Sequence, residues 1–303
     1  MKLMMMIGLI LGLMGCDRTN EASLIQLDVY EPVHSYQLEE KPVVLNDVDC
    51  DTLDFSPLYE VLETYGHLVS IYFENFKNGC VFSHNEEINY FAASTFKAPF
   101  ALWLYALADD GIVDMNELLE FNEANYFPGS GIIRTNYTFG QSFRVGRLIA
   151  LMLYESDNVA TQMLRQRFGY HGYADFIASL GGNRNYVADL WNARLTAAEA
   201  GFFMREIYRY IEGENSHSSE FLLNLLNNQF PFITSTYQVA SKTGWYPRFG
   251  GAWHDMAIIW SSSPFSLSIL SSEFKDSKND HYMYEQITYA FERFNRINFT
   301  LNN

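Results

Sequence analysis

The sequence predicts an α+β fold in which a long helical segment separates two groups of β-strands. Strand-like composition on both sides of a turn at Lys77-Asn78-Gly79 predicts two strands, over residues 67–74 and 80–91. From about residue 95 to 210 the apolar residues recur with helical spacing instead. Three further strand patterns and an amphipathic segment follow. The predicted order is therefore helix, two strands, a helical insertion, three strands and a helix.

Local signals justify each element in turn. The first helix is predicted from Ser56, because Ser56 suits the capping position and Pro57 the first helical position. Helical spacing is clearest over residues 98–108, 145–154 and 197–210. The later strands are predicted over residues 237–243, 255–261 and 265–271. An amphipathic helix over residues 280–295 follows the last strand.

The N-terminal residues have the pattern of a secretory signal peptide. Lys2 precedes an apolar run over residues 3–14, which is too short to span a bilayer. The run ends in Leu13-Met14-Gly15-Cys16, which resembles the bacterial lipobox, so cleavage after residue 15 and lipidation of Cys16 are predicted. An ordinary signal peptide with a chance cysteine is the alternative. Two or more acyl chains would anchor the chain firmly, and we expect an extracytoplasmic protein, lipid-anchored to the bacterial cell membrane.

The segment after the signal peptide is predicted to be a tether. Residues 16–54 are acidic, have little apolar periodicity and contain two prolines, so the folded domain is placed at residues 55–303. Cys50 and Cys80 remain as two further cysteines. An oxidising compartment permits a disulfide between them, but two unpaired thiols are equally compatible with the sequence.

Composition excludes several classes of function. A net charge of −16 argues against a nucleic-acid surface and against electrostatic docking on anionic lipid. The seven histidines are scattered without a metal-binding spacing, and no Gly-rich phosphate loop is present, so we expect no metal and no cofactor. A catalytic triad using His254 and Asp255 is disfavoured because no G-x-S-x-G elbow is present. We expect a monomer.

Three short motifs carry the chemistry. Ser94-Thr95-Phe96-Lys97 is an S-x-x-K at the start of a predicted helix, where one turn places the lysine amine beside the serine hydroxyl. This motif alone is weak, because Ser272-Glu273-Phe274-Lys275 matches it too. Ser156-Asp157-Asn158 follows a predicted helix, and Lys242-Thr243-Gly244 lies on a predicted strand. Chance would place both tripeptides downstream, in this order, in fewer than about one chain in a thousand.

These are the signature elements of serine β-lactamases and penicillin-binding proteins. Residues 90–97, Gly129-Ser130-Gly131-Ile132-Ile133, the helix before Ser156 and the His254-Asp255 strand also resemble the class A β-lactamase-like serine hydrolases. The resemblance covers roughly residue 56 to the C-terminus. It implies a β-lactamase/transpeptidase-like fold: an antiparallel five-stranded sheet flanked by terminal helices, with an all-helical subdomain inserted at about residues 97–235 and the site in the cleft between.

The resemblance also implies roles for individual residues. Ser94 corresponds to the nucleophile and Lys97 to its base or proton relay. Ser156 corresponds to the residue that passes a proton to the leaving nitrogen, and Asn158 to the one that holds the substrate amide. Asp157 is expected to brace its loop.

The strand motif corresponds to the substrate-binding side. Lys242 and Thr243 are expected to grip the substrate carboxylate, and like-charge repulsion from Lys242 would help keep the amine of Lys97 neutral. Gly244 and Trp245 complete the substrate-binding set. The backbone amides of Ser94 and Trp245 are expected to form the oxyanion hole.

One departure from the family pattern bears on the substrate. Class A β-lactamases use a Glu in a Glu-x-x-Leu-Asn pattern to activate the deacylating water, and the best local match here, Ala188-Asp189-Leu190-Trp191-Asn192, has Ala at that position. Glu199 is explained by a helix capping box with Thr196. The sequence therefore favours a peptidase acting on D-Ala-D-Ala peptides of peptidoglycan. A β-lactamase and a non-hydrolytic β-lactam-binding sensor remain the alternatives.

Overall fold

The structure is a computed structural model that describes residues 48–184, 190–213, 215–248, 251–273 and 278–299. The predicted signal peptide, Cys16 and most of the predicted tether lie outside the described residues. So do Ala188, Asp189 and the end of the second S-x-x-K. No helix within the described ranges is both long and apolar enough to cross a membrane.

The main helices and strands follow the predicted order, with further short strands between them. The helices are α1 Ser56–Tyr65, α2 Lys97–Asp109, α3 Ile133–Asn136, α4 Val145–Tyr154, α5 Asn158–Phe168, α6 His171–Ser179, α7 Ala197–Glu212, α8 Ser218–Leu226 and α9 Lys278–Phe299. The strands are β1 Ser70–Asn75, β2 Val81–His84, β3 Tyr90–Phe91, β4 Leu118–Glu120, β5 Ser142–Arg144, β6 Arg194–Leu195, β7 Gln238–Tyr246, β8 Ala252–Trp260 and β9 Phe265–Ser271.

The central sheet has five antiparallel strands in the order β2-β1-β9-β8-β7. This confirms the predicted fold class. β7 and β8 each have 9 residues, two more than predicted; β7 ends three residues later than predicted and β8 begins three residues earlier. β9 spans the predicted residues. The inserted segment is not wholly helical, because β4 pairs with β5 and forms a small ladder within it.

Two local predictions are corrected by the structure. The second predicted strand, 80–91, divides into β2 and β3, because Asn85 takes a left-handed φ of 53° and donates its side-chain amide to the carbonyls of Gly66 and Val69. The short strand β3 then pairs with β6 instead of the central sheet. Ser56 is the first residue of α1 rather than its cap, and its N–H is accepted by the carboxylate of Asp54 at 3.0 Å.

The two terminal helices cover one face of the sheet. Phe73 on β1 contacts the rings of Phe265, Phe291 and Phe294 with centroid distances of 5.2, 5.6 and 5.4 Å. These residues belong to one buried cluster that joins α1, α9 and the sheet. Because α1 and α9 come from opposite ends of the domain, this packing closes the fold.

The inserted helices cover the other face, and α2 is buried at their centre. Every side chain of α2 from Lys97 to Leu107 is buried, as expected for a helix that is apolar on all sides. On the sheet side, α7 lies so close to β1 that a Cβ at Gly201 would be 2.0 Å from the ring of Tyr72. A closely packed core thus surrounds the helix that begins at Lys97.

A disulfide joins Cys50 and Cys80, with their Cα atoms 5.6 Å apart. The sequence had left this pairing open. The bond ties the short segment before α1 to the turn that precedes β2.

We expect the double variant Cys50→Ser, Cys80→Ser to unfold more easily than the natural chain. The bond closes a loop with a sequence separation of 30, and loss of this restraint on the unfolded chain costs about 3–4 kcal/mol of unfolding free energy. Urea unfolding followed by circular dichroism measures the difference. The natural protein under reducing conditions is the control and should match the variant, whereas a loss below about 1 kcal/mol contradicts the prediction.

Candidate active site

Three segments meet at the outer side of edge strand β7. They are the turn Ala93–Phe96 that leads into α2, the connection between α4 and α5, and β7 itself. Each segment carries one of the three sequence motifs. The structure therefore brings the motifs together although they lie far apart in the chain.

The turn that carries Ser94 is a strained 3₁₀ turn. Ala92 donates its N–H to Ala193 O at 2.9 Å and accepts the hydroxyl of Thr95 at 2.7 Å. Ala93 then has a left-handed φ of 48°, which is unfavourable for a residue with a Cβ. Ser94 follows as a half-buried residue whose hydroxyl has no hydrogen-bond partner within the described part of the chain. Among the described residues, Ser94 and the Lys97 amine are therefore not hydrogen-bonded to each other.

Gly244 allows β7 to lie directly against this turn. A Cβ at Gly244 would be 2.7 Å from Ala92 O and 2.8 Å from Thr95 Cγ2, closer than such atoms can approach. Only glycine fits here. Trp245, the next residue, is 49% exposed and packs edge-on against Trp253 at 5.7 Å.

Lys97 has a fully buried amine. Its Nζ lies 2.7 Å from Ser156 O, 2.7 Å from Asn158 Oδ1 and 3.2 Å from Ser156 Oγ. Burial lowers the pKa of Lys97 well below its ordinary value, the charge of Lys242 lowers it further, and Asp157 opposes the shift. A neutral amine in this position donates two hydrogen bonds and keeps a lone pair that can accept a proton.

Ser156 lies between two amines. Lys242 Nζ is 3.3 Å from Ser156 Oγ and 3.0 Å from Thr243 O. Ser156 has a left-handed φ of 52°, which turns the chain sharply between α4 and α5. Burial lowers the pKa of Lys242 to about 8, against the opposing effect of Asp255. A proton can therefore pass between Lys97 and Ser156, with Lys242 as the neighbouring charge.

Asp157 braces the connection, as the sequence predicts. Its carboxylate is buried, caps α5 at Ala160 N (2.9 Å) and accepts the N–H of Ile133 at 2.8 Å. A Cβ at Gly131 would be 2.2 Å from the same carboxyl carbon, so that loop also packs on Asp157. These contacts are structural.

Asn158 has a fixed side-chain orientation. Its Oδ1 accepts from Lys97, and its Nδ2 donates to Pro128 O at 2.9 Å. Its backbone N–H donates to Ser130 O at 3.0 Å. Because an amide nitrogen carries two hydrogens, Nδ2 retains one donor for a further acceptor.

The hydroxyl of Thr243 is hydrogen-bonded to the segment before β7 and not to the other predicted site residues. Its hydroxyl donates to Phe230 O at 2.7 Å and accepts from Asn228 Nδ2 at 2.9 Å. The same Asn228 amide reaches Ser241 Oγ at 2.9 Å. Thr243 must exchange the Phe230 contact before it can donate to a carboxylate. Asn228 was not predicted, because the segment between α8 and β7 has no apolar periodicity.

An aromatic wall lies beside the site. Phe127 stacks on Trp191 at 3.9 Å, and Trp191 contacts Phe96 edge-on at 5.7 Å. Trp191 Nε1 donates to Gln162 Oε1 at 3.1 Å. No group of three or more His, Cys, Asp or Glu residues arranged to hold a metal ion occurs in the described ranges.

The family model described as the β-lactamase enzyme family matches residues 56–290. The chain belongs to this family. A comparison with curated proteins yields no significant match.

Solved structures of β-lactamases and of PBP-A share the fold. A β-lactamase from Sphaerobacter thermophilus superposes with a TM-score of 0.68 at 20% identity, covering 83% of this chain and 100% of that one. PBP-A gives 0.65 at 17% identity, covering 78% and 96%. A β-lactamase from Xanthomonas campestris gives 0.67 at 16% identity, covering 79% and 96%. This member of the β-lactamase family therefore shares the fold of these structures although at most 20% of its residues are identical to theirs.

Acylation by this family member is expected to have a bell-shaped pH profile. The acid limb reflects protonation of Lys97 at its lowered pKa, and the alkaline limb reflects loss of the Lys242 charge near pH 8. The measurement is the second-order acylation rate with benzylpenicillin from pH 5 to 10. The Lys242→Arg variant keeps its positive charge over this whole pH range, so the alkaline limb of its profile should move to higher pH. An alkaline limb at an unchanged pH contradicts the assignment of that limb to Lys242.

We expect Asp157→Ala to destabilise the domain by about 2–4 kcal/mol, because it removes the cap of α5 and leaves the N–H of Ile133 unpaired in the interior. Urea unfolding measures the loss. Asp157→Asn retains an acceptor and is the matched control with a smaller effect. A loss within about 0.5 kcal/mol for Asp157→Ala would show that the brace is dispensable.

Proposed function

We propose that this protein is a penicillin-recognising serine hydrolase that forms an acyl-enzyme on Ser94 and acts on peptidoglycan peptides ending in D-Ala-D-Ala. The observation that carries the proposal is the buried amine of Lys97, one turn from Ser94 and within 3.2 Å of Ser156 Oγ. A buried lysine of lowered pKa can act as a base at neutral pH, which a solvated lysine cannot.

Acylation follows from this arrangement. Neutral Lys97 takes the proton of the Ser94 hydroxyl, and Oγ forms a bond to the substrate carbonyl carbon. The oxygen that becomes negative is stabilised by the backbone N–H groups of Ser94 and Trp245. The tetrahedral intermediate then breaks its C–N bond, and Ser156 gives its proton to the leaving nitrogen. Ser156 recovers a proton from the ammonium of Lys97 over their 3.2 Å contact.

Substrate is oriented by charge and by one amide. Protonated Lys242 attracts the carboxylate that both D-Ala-D-Ala peptides and penicillins carry. The free Nδ2 hydrogen of Asn158 donates to the carbonyl of the substrate's acyl amide. Thr243 adds its hydroxyl once it releases Phe230 O.

Deacylation decides between the peptidase and its alternatives. In the best local match to the class A Glu-x-x-Leu-Asn pattern, Ala188 stands where the deacylating Glu would be, which favours a slow hydrolysis of penicilloyl adducts and hence a peptidase. A β-lactamase is the alternative. One of the solved structures similar to this chain, at 17% identity, is a mutant of PBP-A captured as an acyl-enzyme complex with penicillin G. That structure supports penicillin as a probe for either alternative. A sensor that keeps its acyl group is the second alternative.

We further propose that the protein is lipid-anchored through Cys16 outside the bacterial cell membrane, as a monomer. The lipobox-like Leu13-Met14-Gly15-Cys16 supports the anchor. The disulfide between Cys50 and Cys80 supports an oxidising compartment.

The test is an intact-mass time course of the purified full-length protein with benzylpenicillin, beside Ser94→Ala. We expect a penicilloyl adduct on the natural chain that persists for many minutes and is absent from Ser94→Ala. Release of D-alanine from a D-Ala-D-Ala peptide, measured in parallel, distinguishes a peptidase from a sensor.

Other outcomes would support an alternative function or reject the proposal. Rapid loss of the adduct with consumption of penicillin would establish the β-lactamase alternative. Absence of any adduct and of any D-alanine release would reject acylation at Ser94. An undiminished adduct on Ser94→Ala would place the nucleophile at another residue.

A further inference from the structure

His254 lies fully buried on β8, opposite Gly244 of β7. Its Nε2 is 3.0 Å from Phe91 O, and its Nδ1 is 3.3 Å from the N–H of Ser271. A carbonyl can only accept and a backbone N–H can only donate. The ring is therefore neutral, with its hydrogen on Nε2 directed at Phe91, and burial lowers its pKa to about 4.

Phe91 is the last residue of β3 and stands three positions before Ser94. The next two residues are Ala92, held by Ala193 O, and the strained Ala93. The Phe91 carbonyl is thus a fixed point on the chain immediately before the strained turn. The imidazole also contacts the ring of Tyr90 edge-on at 5.3 Å, which fixes its plane.

We propose that His254 is a positioning residue for the nucleophile. By donating to Phe91 O it holds the entry of the strained turn against β8, while the absence of a side chain at Gly244 lets the turn itself lie against β7. Loss of this bond lets the turn relax and moves Ser94 away from its reactive position. This inference rests on the proposed acylation at Ser94.

Asp255 provides a matched comparison on the opposite face of the same strand. Its Oδ2 accepts the N–H groups of Phe232 and Ile233 at 2.7 and 2.8 Å. These residues continue the segment whose Phe230 carbonyl contacts Thr243. Asp255 therefore supports the carboxylate-binding side, whereas His254 supports the nucleophile side.

The experiment separates the acylation rate constant of the bound complex from its dissociation constant, using rapid-quench mass spectrometry of the full-length protein with benzylpenicillin. His254→Leu removes the donor, and His254→Gln places an amide N–H near the position of Nε2. Ile258→Ala is the stability control, because Ile258 is buried on the same face of β8. Asp255→Ala is the comparison for the other side.

We expect His254→Leu to lower the acylation rate constant about 10- to 100-fold, as a small displacement of a reacting group does, with the dissociation constant little changed. His254→Gln should recover most of the rate. Asp255→Ala should instead raise the dissociation constant. Ile258→Ala should lower the melting temperature without lowering the rate constant.

The inference is overturned if His254→Leu acylates like the natural chain, if His254→Gln shows no recovery, or if Ile258→Ala or Asp255→Ala lowers the rate constant equally. If His254→Leu does not fold, His254→Asn, whose amide is too short to reach Phe91, takes its place. A natural chain that never acylates rejects the proposed function instead.

Nitrogen-15 spectra of the His254 ring check independently that its hydrogen is on Nε2. A ring with its hydrogen on Nδ1 would reject the contact with Phe91 O.

Discussion

Burial of the Lys97 amine is the constraint on which the rest of the site depends. An amine removed from water needs acceptors or must give up its proton, and here Ser156 and Asn158 supply the acceptors. The connection between α4 and α5 must therefore fold back onto the start of α2. Left-handed backbone at Ala93 and Ser156 is the strain that this convergence requires. The apolar surroundings of α2 both hold the amine in place and depress its affinity for a proton.

Much of this arrangement could be predicted from the sequence. The motif at Ser94 and Lys97 falls at a helix start, and Ser156 follows a helix whose limits, 145–154, the apolar spacing predicts. The strand that carries Lys242 is also predicted, although its limits are Gln238–Tyr246 in the structure rather than residues 237–243. Such signals are local, and each survives in the structure because tertiary packing agrees with it. The antiparallel sheet and its terminal helices, implied by resemblance, are also confirmed.

Other features depend on contacts that no local pattern records. Asn85 ends β2 through bonds to Gly66 and Val69, which lie in an earlier segment. The partners of Thr243 come from a loop without periodicity, and the Cys50–Cys80 pairing depends on how the chain before α1 is placed. Gly244 illustrates the same limit. The sequence shows a glycine at this position, but only the structure shows that a side chain there would clash with the carbonyl oxygen of Ala92. Long-range geometry decides all of these.

The position of the disulfide has a mechanical consequence. Cys80 directly precedes β2, and β2 is the edge of the sheet opposite β7. Tension applied to the chain ahead of residue 48 would reach Cys50 first, and would pass from there to α1 through the backbone and to the β2 edge through the disulfide. Three strands separate that edge from the strand that carries Lys242. The reactive groups are thus insulated from force on the N-terminal segment, so pulling there should leave their spacing unchanged.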